Sequence, residues 1–335
     1  MKLFVNNEND LKAALKTGNW IKARGSIKYD TYSNELSLMP NDIMNIEVEE
    51  KTDDAENKRV ELHLHTQMSA MDSVVNVEDV VKRAADWGHD SIAITDHDTV
   101  DGINEAKKVG DNIGLEVIEG IEINTEFKKH EVHILGYFID QYNQELLAKL
   151  DEIKQARINR VKKIINKLND INIDISEEEV FSLSDGGAVG RSHIARILHE
   201  KGYVNSFSEA FDKYIAIGKI AYVERYRLTP NEAIELIENA GGIPVLAHPA
   251  LIKNDEIVKE IINMGVKGLE SYYYEHDLQE TKKYLKIAKK NNLLITGGSD
   301  DHGPGNKDGL RLGKMKLDYN IIENLKKSIN LPLFS

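Results

Sequence analysis

The chain has 335 residues, of which 41% are hydrophobic and 30% are charged, and its formal net charge is -13. This length and composition suit a folded protein with one large α/β domain and a smaller one. The acidic balance argues against general binding to nucleic acid or to an anionic membrane, so any polyanion site must be a local basic patch or a metal cluster. The sequence has no cysteine, which excludes disulfides, iron–sulfur clusters and thiolate zinc sites.

The sequence shows no targeting or membrane-spanning segment. Near the N-terminus only three apolar residues stand in a row, at 3–5, which is too few for a signal peptide. No apolar stretch approaches the roughly 20 residues of a transmembrane helix. We therefore expect a cytoplasmic protein without a membrane partner.

Residues 1–57 are predicted to form a small OB-like β domain, of which the last part, from 47, is a charged linker. Lys22, Arg24 and Lys28 would share one strand face, close to aromatic residues such as Trp20 and Tyr32. Basic and aromatic side chains together suit single-stranded nucleic acid. An ordinary solvated strand face explains the pattern equally well, so both interpretations stay open.

From residue 58 onward, strand-like and helix-like segments alternate. Strands are predicted at residues 59–65, 91–95, 115–119, 131–138, 243–247, 267–271 and 293–297. Helices fall between most of them, at 77–87, 101–109, 230–239, 255–264 and 278–290. This alternation predicts an α/β fold with a parallel sheet, and seven strands suit a closed or nearly closed barrel.

A mostly helical stretch interrupts the alternation after the fourth strand. Its helices are predicted at 145–168, 177–182, 192–201 and 208–214. The barrel would then comprise residues 58–141 and 229–335, and residues 142–228 would form a helical insertion. We expect this insertion on the side of the barrel where the strands end.

Two histidines on the first barrel strand are candidate metal ligands. His63 and His65 alternate with Leu62 and Leu64, so both imidazoles point to the same face and could bind one metal ion. Two hydrogen-bonded histidines on a half-buried strand would give the same local pattern. The motif therefore needs support from the rest of the chain.

That support comes from histidines and carboxylates that recur where later strands end. They are His97, Glu122, His133, His248, Asp300 and His302. In α/β barrels this rim is where catalytic residues gather. Histidine and carboxylate ligands without sulfur suit zinc, manganese or iron(II), so the set predicts a metal site.

Taken in order, the motifs around these residues resemble the polymerase and histidinol phosphatase (PHP) superfamily. They read His-x-His, Thr-Asp-His, Gly-x-Glu, His-x-x-Gly, Ala-His-Pro and Gly-Ser-Asp-x-His, and the resemblance covers about residues 58–315. It implies a distorted (β/α)₇ barrel with three divalent metal ions at the rim, of manganese, zinc or iron. It implies that one metal is held by His63, His65, Glu122 and Asp300, a second by Glu122, His133 and His248, and a third by Asp72, His97 and His302.

Two subfamilies are mixed along the chain. From Gly18 to His97 it resembles the start of the PolC-type DNA polymerase III alpha chain. From there on it resembles stand-alone PHP phosphoesterases that hydrolyse nucleoside 3′,5′-bisphosphates or trim RNA from the 5′ end. Asp72 stands at the polymerase-like spacing, and it could instead cap the following helix, as Ser73 or Asn76 also could.

The resemblance implies metal-dependent hydrolysis of phosphate esters in nucleotides or short oligonucleotides. Arg191 offers a planar fork for a phosphate, and His193 offers a proton for the leaving oxygen. Both lie near a predicted helix start, where anions are favoured, although a surface salt bridge would also explain Arg191. Two other functions stay open, a 3′–5′ exonuclease on single-stranded DNA and a catalytically silent, metal-stabilised binding module.

Overall fold

The structure, a computed structural model, describes residues 59–69, 73, 75–183, 189–303 and 310–331, together with three strand segments before residue 46. The chain divides into two compact units, Met1–Thr52 and Asp53–Ser335. Within the described ranges, no helix combines the length and the apolar character that crossing a membrane requires.

In the first unit, three strands form one sheet: β1 (Lys2–Leu3), β2 (Ile21–Asp30) and β3 (Glu35–Asn45). β3 lies in the middle, parallel to β1 and antiparallel to β2. The side chains of Lys22 and Arg24 are exposed on β2. Trp20, Tyr32 and the expected linker lie outside the described residues, as does the side chain of Lys28, so the OB-like assignment stays a prediction.

The second unit is built on an eight-stranded sheet in which all seven predicted strands are present. Its strands are β4 (Arg59–Glu61), β5 (His89–Ile94), β6 (Glu116–Phe127), β7 (His130–Tyr137), β8 (Ile243–Leu246), β9 (Gly268–Tyr273), β10 (Leu294–Gly298) and β11 (Leu317–Asp318). They follow the order β10-β9-β8-β7-β6-β5-β4-β11. The short strand β11, which pairs antiparallel with β4, was not predicted.

The segments that follow β4 and β10 meet and nearly close the barrel. Leu64 forms an isolated parallel bridge with Asp301. The backbone N–H of His65 donates to the carbonyl of Asp301 at 2.9 Å, and the N–H of Asp300 donates to the carbonyl of His63 at 2.8 Å. This closure places the two segments that carry predicted ligands side by side.

Helices cover the barrel, and most begin at the predicted residues. They span Val77–Asp86, Ile103–Ile113, Pro230–Asn239, Asp255–Asn263, Leu278–Lys290 and Asn320–Ser328. The side chain of Asn76 caps the first of these helices by accepting from the N–H groups of Glu78 and Asp79. That helix therefore has its cap without Asp72, which lies outside the described residues.

The expectation of an all-parallel sheet is wrong at β7, which runs antiparallel to both β6 and β8. Only Lys128 and Lys129 separate β6 from β7, with φ angles of 50° and 67°. Two consecutive residues with positive φ make a tight hairpin turn, whereas a parallel connection needs a crossover of a dozen or more residues. β7 therefore ends at the rim where its parallel neighbours begin.

The insertion consequently leaves from the opposite rim to the one predicted. Its helices span Gln144–Asn169, Glu177–Ser182, Arg191–Glu200 and Phe207–Ala210, and a π-helical turn follows at Phe211–Ile215. The first helix has 26 residues, or about 39 Å at 1.5 Å per residue. Its early residues Leu146 and Leu150 pack in the barrel core, and its later residues Ile164 and Leu168 pack in a second core within the insertion.

Candidate metal centre

The structure brings together eight of the nine residues predicted as metal ligands. They are His63, His65, His97, Glu122, His133, His248, Asp300 and His302. Three groups of these residues have donor atoms that all lie within 4.8 Å of one another. Asp72, the ninth, lies outside the described residues.

The first group forms where the chain continues beyond β4. His63 and His65 are fully buried, and their Nε2 atoms point to the same place because alternate residues of an extended segment share a face. Nε2 of His63 lies 3.0 Å from Oε2 of Glu122 and 3.4 Å from Oδ1 of Asp300. Nε2 of His65 lies 3.2 Å and 3.0 Å from the same two oxygens.

Glu122, on β6, lies at the centre of the cluster. Its Oε2 is 3.0–3.2 Å from ring nitrogens of three histidines, and its Oε1 is 2.9–3.0 Å from two more. These five are His63, His65, His97, His133 and His248. Burial alone would raise the pKa of Glu122, but the surrounding imidazoles hold that pKa well below its ordinary value. The carboxylate is therefore ionised and offers each oxygen to a different set of imidazoles.

Another of the three groups consists of stacked imidazoles. The centroid of the His65 ring lies 4.1 Å from that of the His302 ring and 4.5 Å from that of the His97 ring. Donor atoms of the three residues lie within 4.8 Å of one another. Neutral imidazoles and ionised carboxylates are the donors that first-row divalent metals take. The convergence of buried nitrogen and oxygen donors thus fits a cluster of divalent metal ions.

His133 reaches the cluster because β7 is reversed. It pairs with Asn124, two residues beyond Glu122 on β6, so the early part of β7 lies at the rim where β6 ends. Nδ1 of His133 is 2.9 Å from Oε1 of Glu122. The residue was predicted as a ligand on the assumption of a parallel strand end, and the hairpin brings it to the same rim by a different route.

Two residues that support the cluster were missed at the level of sequence. Glu270 is fully buried on β9 and contacts His63 and His248. Tyr273, also on β9, donates its hydroxyl to Oδ2 of Asp300 at 2.9 Å, and burial followed by the charge of Asp300 raises its pKa far above 10. The available signal was Glu270 as the one charged residue of the strand Gly268–Tyr273.

A cavity of about 420 Å³ opens beside the cluster, between the barrel rim and the insertion. His97 and His133 line it on the barrel side. The other walls carry five arginines: Arg157, Arg160, Arg191, Arg225 and Arg227. Of these five, only Arg191 was predicted from the sequence to bind a phosphate.

Three of the five arginines are paired with carboxylates. Nη2 of Arg157 lies 3.1 Å from Oδ2 of Asp98 and Nη2 of Arg225 lies 3.7 Å from the same oxygen. Arg227 pairs with Glu126, and also with Glu131 at 3.4 Å. These pairs tie the insertion and its return segment to the barrel.

Arg160 and Arg191 have no carboxylate partner among the residues that the structure describes. Nε of Arg160 donates to the carbonyl of Val223 at 2.8 Å, and Nη1 of Arg191 donates to that of Ile215 at 3.2 Å. Burial, and then the positive charge of Arg191, lower the pKa of Arg160 to about 10, and burial also lowers the pKa of Arg191. Two neighbouring cations without a carboxylate partner in the described part of the chain can bind an anion.

His193 is placed differently from Arg191. The helix Arg191–Glu200 begins where a helix was predicted, but the described residues that line the cavity include Arg191 and do not include His193. Nδ1 of His193 accepts a hydrogen bond from the backbone N–H of Gly190 at 3.2 Å. Burial lowers the pKa of this imidazole, which favours its neutral form.

Comparison with known proteins identifies the family of this chain. The PHP domain model matches residues 61–295. A 5′-3′ exoribonuclease from Haemophilus influenzae is 32% identical over 74% of this chain and 91% of its own length. A 3′,5′-nucleoside bisphosphate phosphatase from Chromobacterium violaceum is 29% identical over 73% of this chain and 88% of its own.

The resemblance to a PolC-type DNA polymerase III is also found. A PolC-type DNA polymerase III from Oceanobacillus iheyensis is 48% identical over 37% of this chain, which corresponds to 9% of that polymerase. Among solved structures, one described as a metal-dependent phosphoesterase from Bifidobacterium adolescentis superimposes with a TM-score of 0.66 at 29% identity, over 81% of this chain and 96% of that one. The chain therefore belongs to the PHP domain family, and it is a metal-dependent phosphoesterase.

Proposed function

We propose that this phosphoesterase acts on nucleotides or short RNA that carry a second phosphate near the one that is hydrolysed. The observation that carries this proposal is the pair Arg160 and Arg191, which has no carboxylate partner among the described residues and lines the same cavity as the proposed metal ligands His97 and His133. A cavity of about 420 Å³ is within the size range of sites for small ligands. A nucleoside 3′,5′-bisphosphate and the 5′ end of an RNA chain both present two phosphates across one ribose.

We further propose three metal sites, with ligands divided as the resemblance implies. Glu122 would serve two sites, because its two oxygens face different imidazoles. Asp72 would complete the site of His97 and His302, and manganese, zinc and iron all suit this donor set. When bound, such ions supply a nucleophile from water at neutral pH and neutralise charge on the phosphoryl oxygens.

The chain's own residues then bind and orient the substrate. Arg160 and Arg191 hold the phosphate that is not cleaved, and Tyr273 fixes the rotation of Asp300 through its 2.9 Å hydrogen bond. His193 has its Nδ1 occupied by Gly190, so only its Nε2–H is left to donate to a leaving oxygen. Because a neutral imidazole can donate a hydrogen bond but is too weak an acid to give up its proton, we propose that His193 stabilises the leaving oxygen through this Nε2–H; the proton transfer that the sequence suggested would require its imidazolium form.

The substrate is tested by comparing three reactions with manganese present. Adenosine 3′,5′-bisphosphate, a 5′-phosphorylated RNA oligonucleotide and single-stranded DNA of the same sequence are each supplied at matched concentrations. We expect phosphate release from the bisphosphate or mononucleotide release from the RNA. Faster nucleotide release from the 3′ end of DNA would instead support the exonuclease alternative, which the 48% identity to the polymerase favours.

For the first unit we propose a role in holding a nucleic-acid strand, with residues 1–57 as a separate domain. The exposed side chains of Lys22 and Arg24 on β2 support it. Deleting residues 1–50 should raise the KM for an oligonucleotide and leave that for a mononucleotide bisphosphate unchanged, with a weaker dependence on salt. An equal loss on both substrates by a truncated protein that still melts cooperatively would show that the unit binds no strand.

A further inference from the structure

Behind the metal ligands lies a carboxylate that the proposed chemistry does not use. Glu270 is fully buried on β9, and its two oxygens contact two different ligands. Oε1 lies 2.9 Å from Nδ1 of His63, and Oε2 accepts the backbone N–H of His248 at 2.7 Å. One side chain therefore supports residues that belong to two of the proposed metal sites.

The contact with His63 determines which ring nitrogen carries the proton. Nε2 of His63 faces Glu122 and Asp300 at 3.0 and 3.4 Å, so Nε2 is the atom that would bind a metal. A histidine that binds metal through Nε2 keeps its proton on Nδ1, and that N–H needs an acceptor. Oε1 of Glu270 is placed to be that acceptor, which fixes both the tautomer and the rotation of the ring.

The contact with His248 holds a strained backbone. His248 has a φ of 22°, a conformation that residues with a side chain rarely adopt. The N–H bond to Glu270 ties the backbone down at this point, while Nε2 of the same residue reaches Oε1 of Glu122 at 3.0 Å. Without the bond, the ring would lose the backbone conformation that directs it at the cluster.

We propose that Glu270 is a positioning residue that couples two metal sites, by orienting the ring of His63 and by holding the backbone of His248. The proposal rests on the proposed function only in that the cluster holds metal. Because both contacts use the same carboxylate, His63 and His248 cannot be positioned independently. Loss of one oxygen as an acceptor should therefore weaken metal binding at one site or both.

Glu61 provides a matched control. It is as deeply buried as Glu270, but its Oε1 accepts two backbone N–H groups, from His63 at 3.1 Å and from Ser299 at 2.8 Å. Glu61→Gln keeps an oxygen that can accept both bonds. Glu270→Gln keeps one acceptor oxygen and replaces the other with an N–H donor. It therefore loses either the hydrogen bond to the ring of His63 or the one to the backbone N–H of His248.

The test measures Mn²⁺ affinity of the full-length protein by competition with a chelator. We expect Glu270→Gln to weaken the affinity by about 10- to 100-fold, as loss of a carboxylate behind a ligating histidine does, and Glu61→Gln to change it less than threefold. Wild-type affinity in a Glu270→Gln protein with an unchanged circular dichroism spectrum would overturn the proposal. An equal loss in both variants would also overturn it, because any buried carboxylate would then have the same effect.

A second measurement keeps the test valid if Glu270→Gln does not fold. In wild-type protein loaded with Zn²⁺, ¹⁵N NMR of the imidazoles should show His63 protonated at Nδ1, with its signal assigned by its loss in His63→Gln. A His63 ring protonated at Nε2 would overturn the proposal. Normal metal binding without phosphoesterase activity would instead count against the proposed function and leave the role of Glu270 standing.

Discussion

Removing the guanidinium of Arg191 should separate substrates with two phosphates from those with one. The side chain lines the cavity beside the predicted metal ligands and lacks a carboxylate partner among the described residues. A phosphate would therefore gain an arginine that no carboxylate of the described residues already pairs with. Even with its pKa lowered to about 10, the neighbouring Arg160 is charged at pH 8, so we expect both cations to act on the same phosphate.

The size of the effect follows from the type of bond that is lost. A hydrogen bond to a charged group contributes roughly 1.5–3 kcal/mol, and each 1.4 kcal/mol is a factor of about ten. We therefore expect Arg191→Ala to raise the KM for adenosine 3′,5′-bisphosphate by about 10- to 150-fold. Arg160→Ala should act in the same direction, and the double variant should lose less than the product of the two because both contact one phosphate.

The assay compares adenosine 3′,5′-bisphosphate with 3′-AMP and 5′-AMP, each of which lacks one of the two phosphates. For whichever of the two monophosphates is hydrolysed, the KM of Arg191→Ala should stay within about threefold of the wild-type value. Arg196→Ala is the control, since Arg196 lies on the same helix and pairs with Glu200 at 2.8 Å. An equal rise in KM for bisphosphate and monophosphate would refute the assignment of Arg191 to a second phosphate.

Three further outcomes are expected. Protein saturated with manganese should hold three ions per chain by elemental analysis, and finding one ion or none would rule out three sites. Glu122→Gln should lower turnover by orders of magnitude. Asp72→Asn should lower the metal content by about one ion and depress turnover, with little change in melting temperature because Asn76 caps the helix; intact metal content would exclude Asp72 as a ligand. Burial lowers the pKa of His89 from 6.5 to about 4, so as the pH falls the unfolded chain takes up this proton before the folded one does. The free energy of unfolding should therefore decrease between about pH 6.5 and pH 4, by on the order of 3 kcal/mol. Denaturant titrations at several pH values should show a shallower decline for His89→Asn.

The barrel strands and the cluster of histidines and carboxylates were predictable because each leaves a local pattern in the sequence. Alternation around His63 and His65, and apolar runs that end in Asp-His or Ala-His-Pro, define both the strand and the face of the side chain. All seven predicted strands are present, and eight predicted ligands meet. Local pattern was sufficient there because strand ends of one barrel share a rim.

The reversal of β7 was not predictable by the same rules. Its turn consists of Lys128 and Lys129, neither of which is the glycine or asparagine that marks a tight hairpin. The contacts of Glu270 were hidden for another reason. A glutamate in a buried strand indicates a polar partner, but the partners, His63 and His248, lie far from it along the chain.

The arginine-lined cavity follows from the strand reversal. β7 ends at the rim opposite the cluster of predicted ligands, so the chain must return before the insertion can approach that cluster. The helix Gln144–Asn169 makes that return: Leu146 packs in the barrel core, whereas Arg157, about 16 Å further along at 1.5 Å per residue, reaches Asp98 beside the cluster. Arg160 lies three residues on, on the same face of the helix. The same feature that made the sheet direction hard to predict is therefore the one that places a cation beside the proposed metal sites.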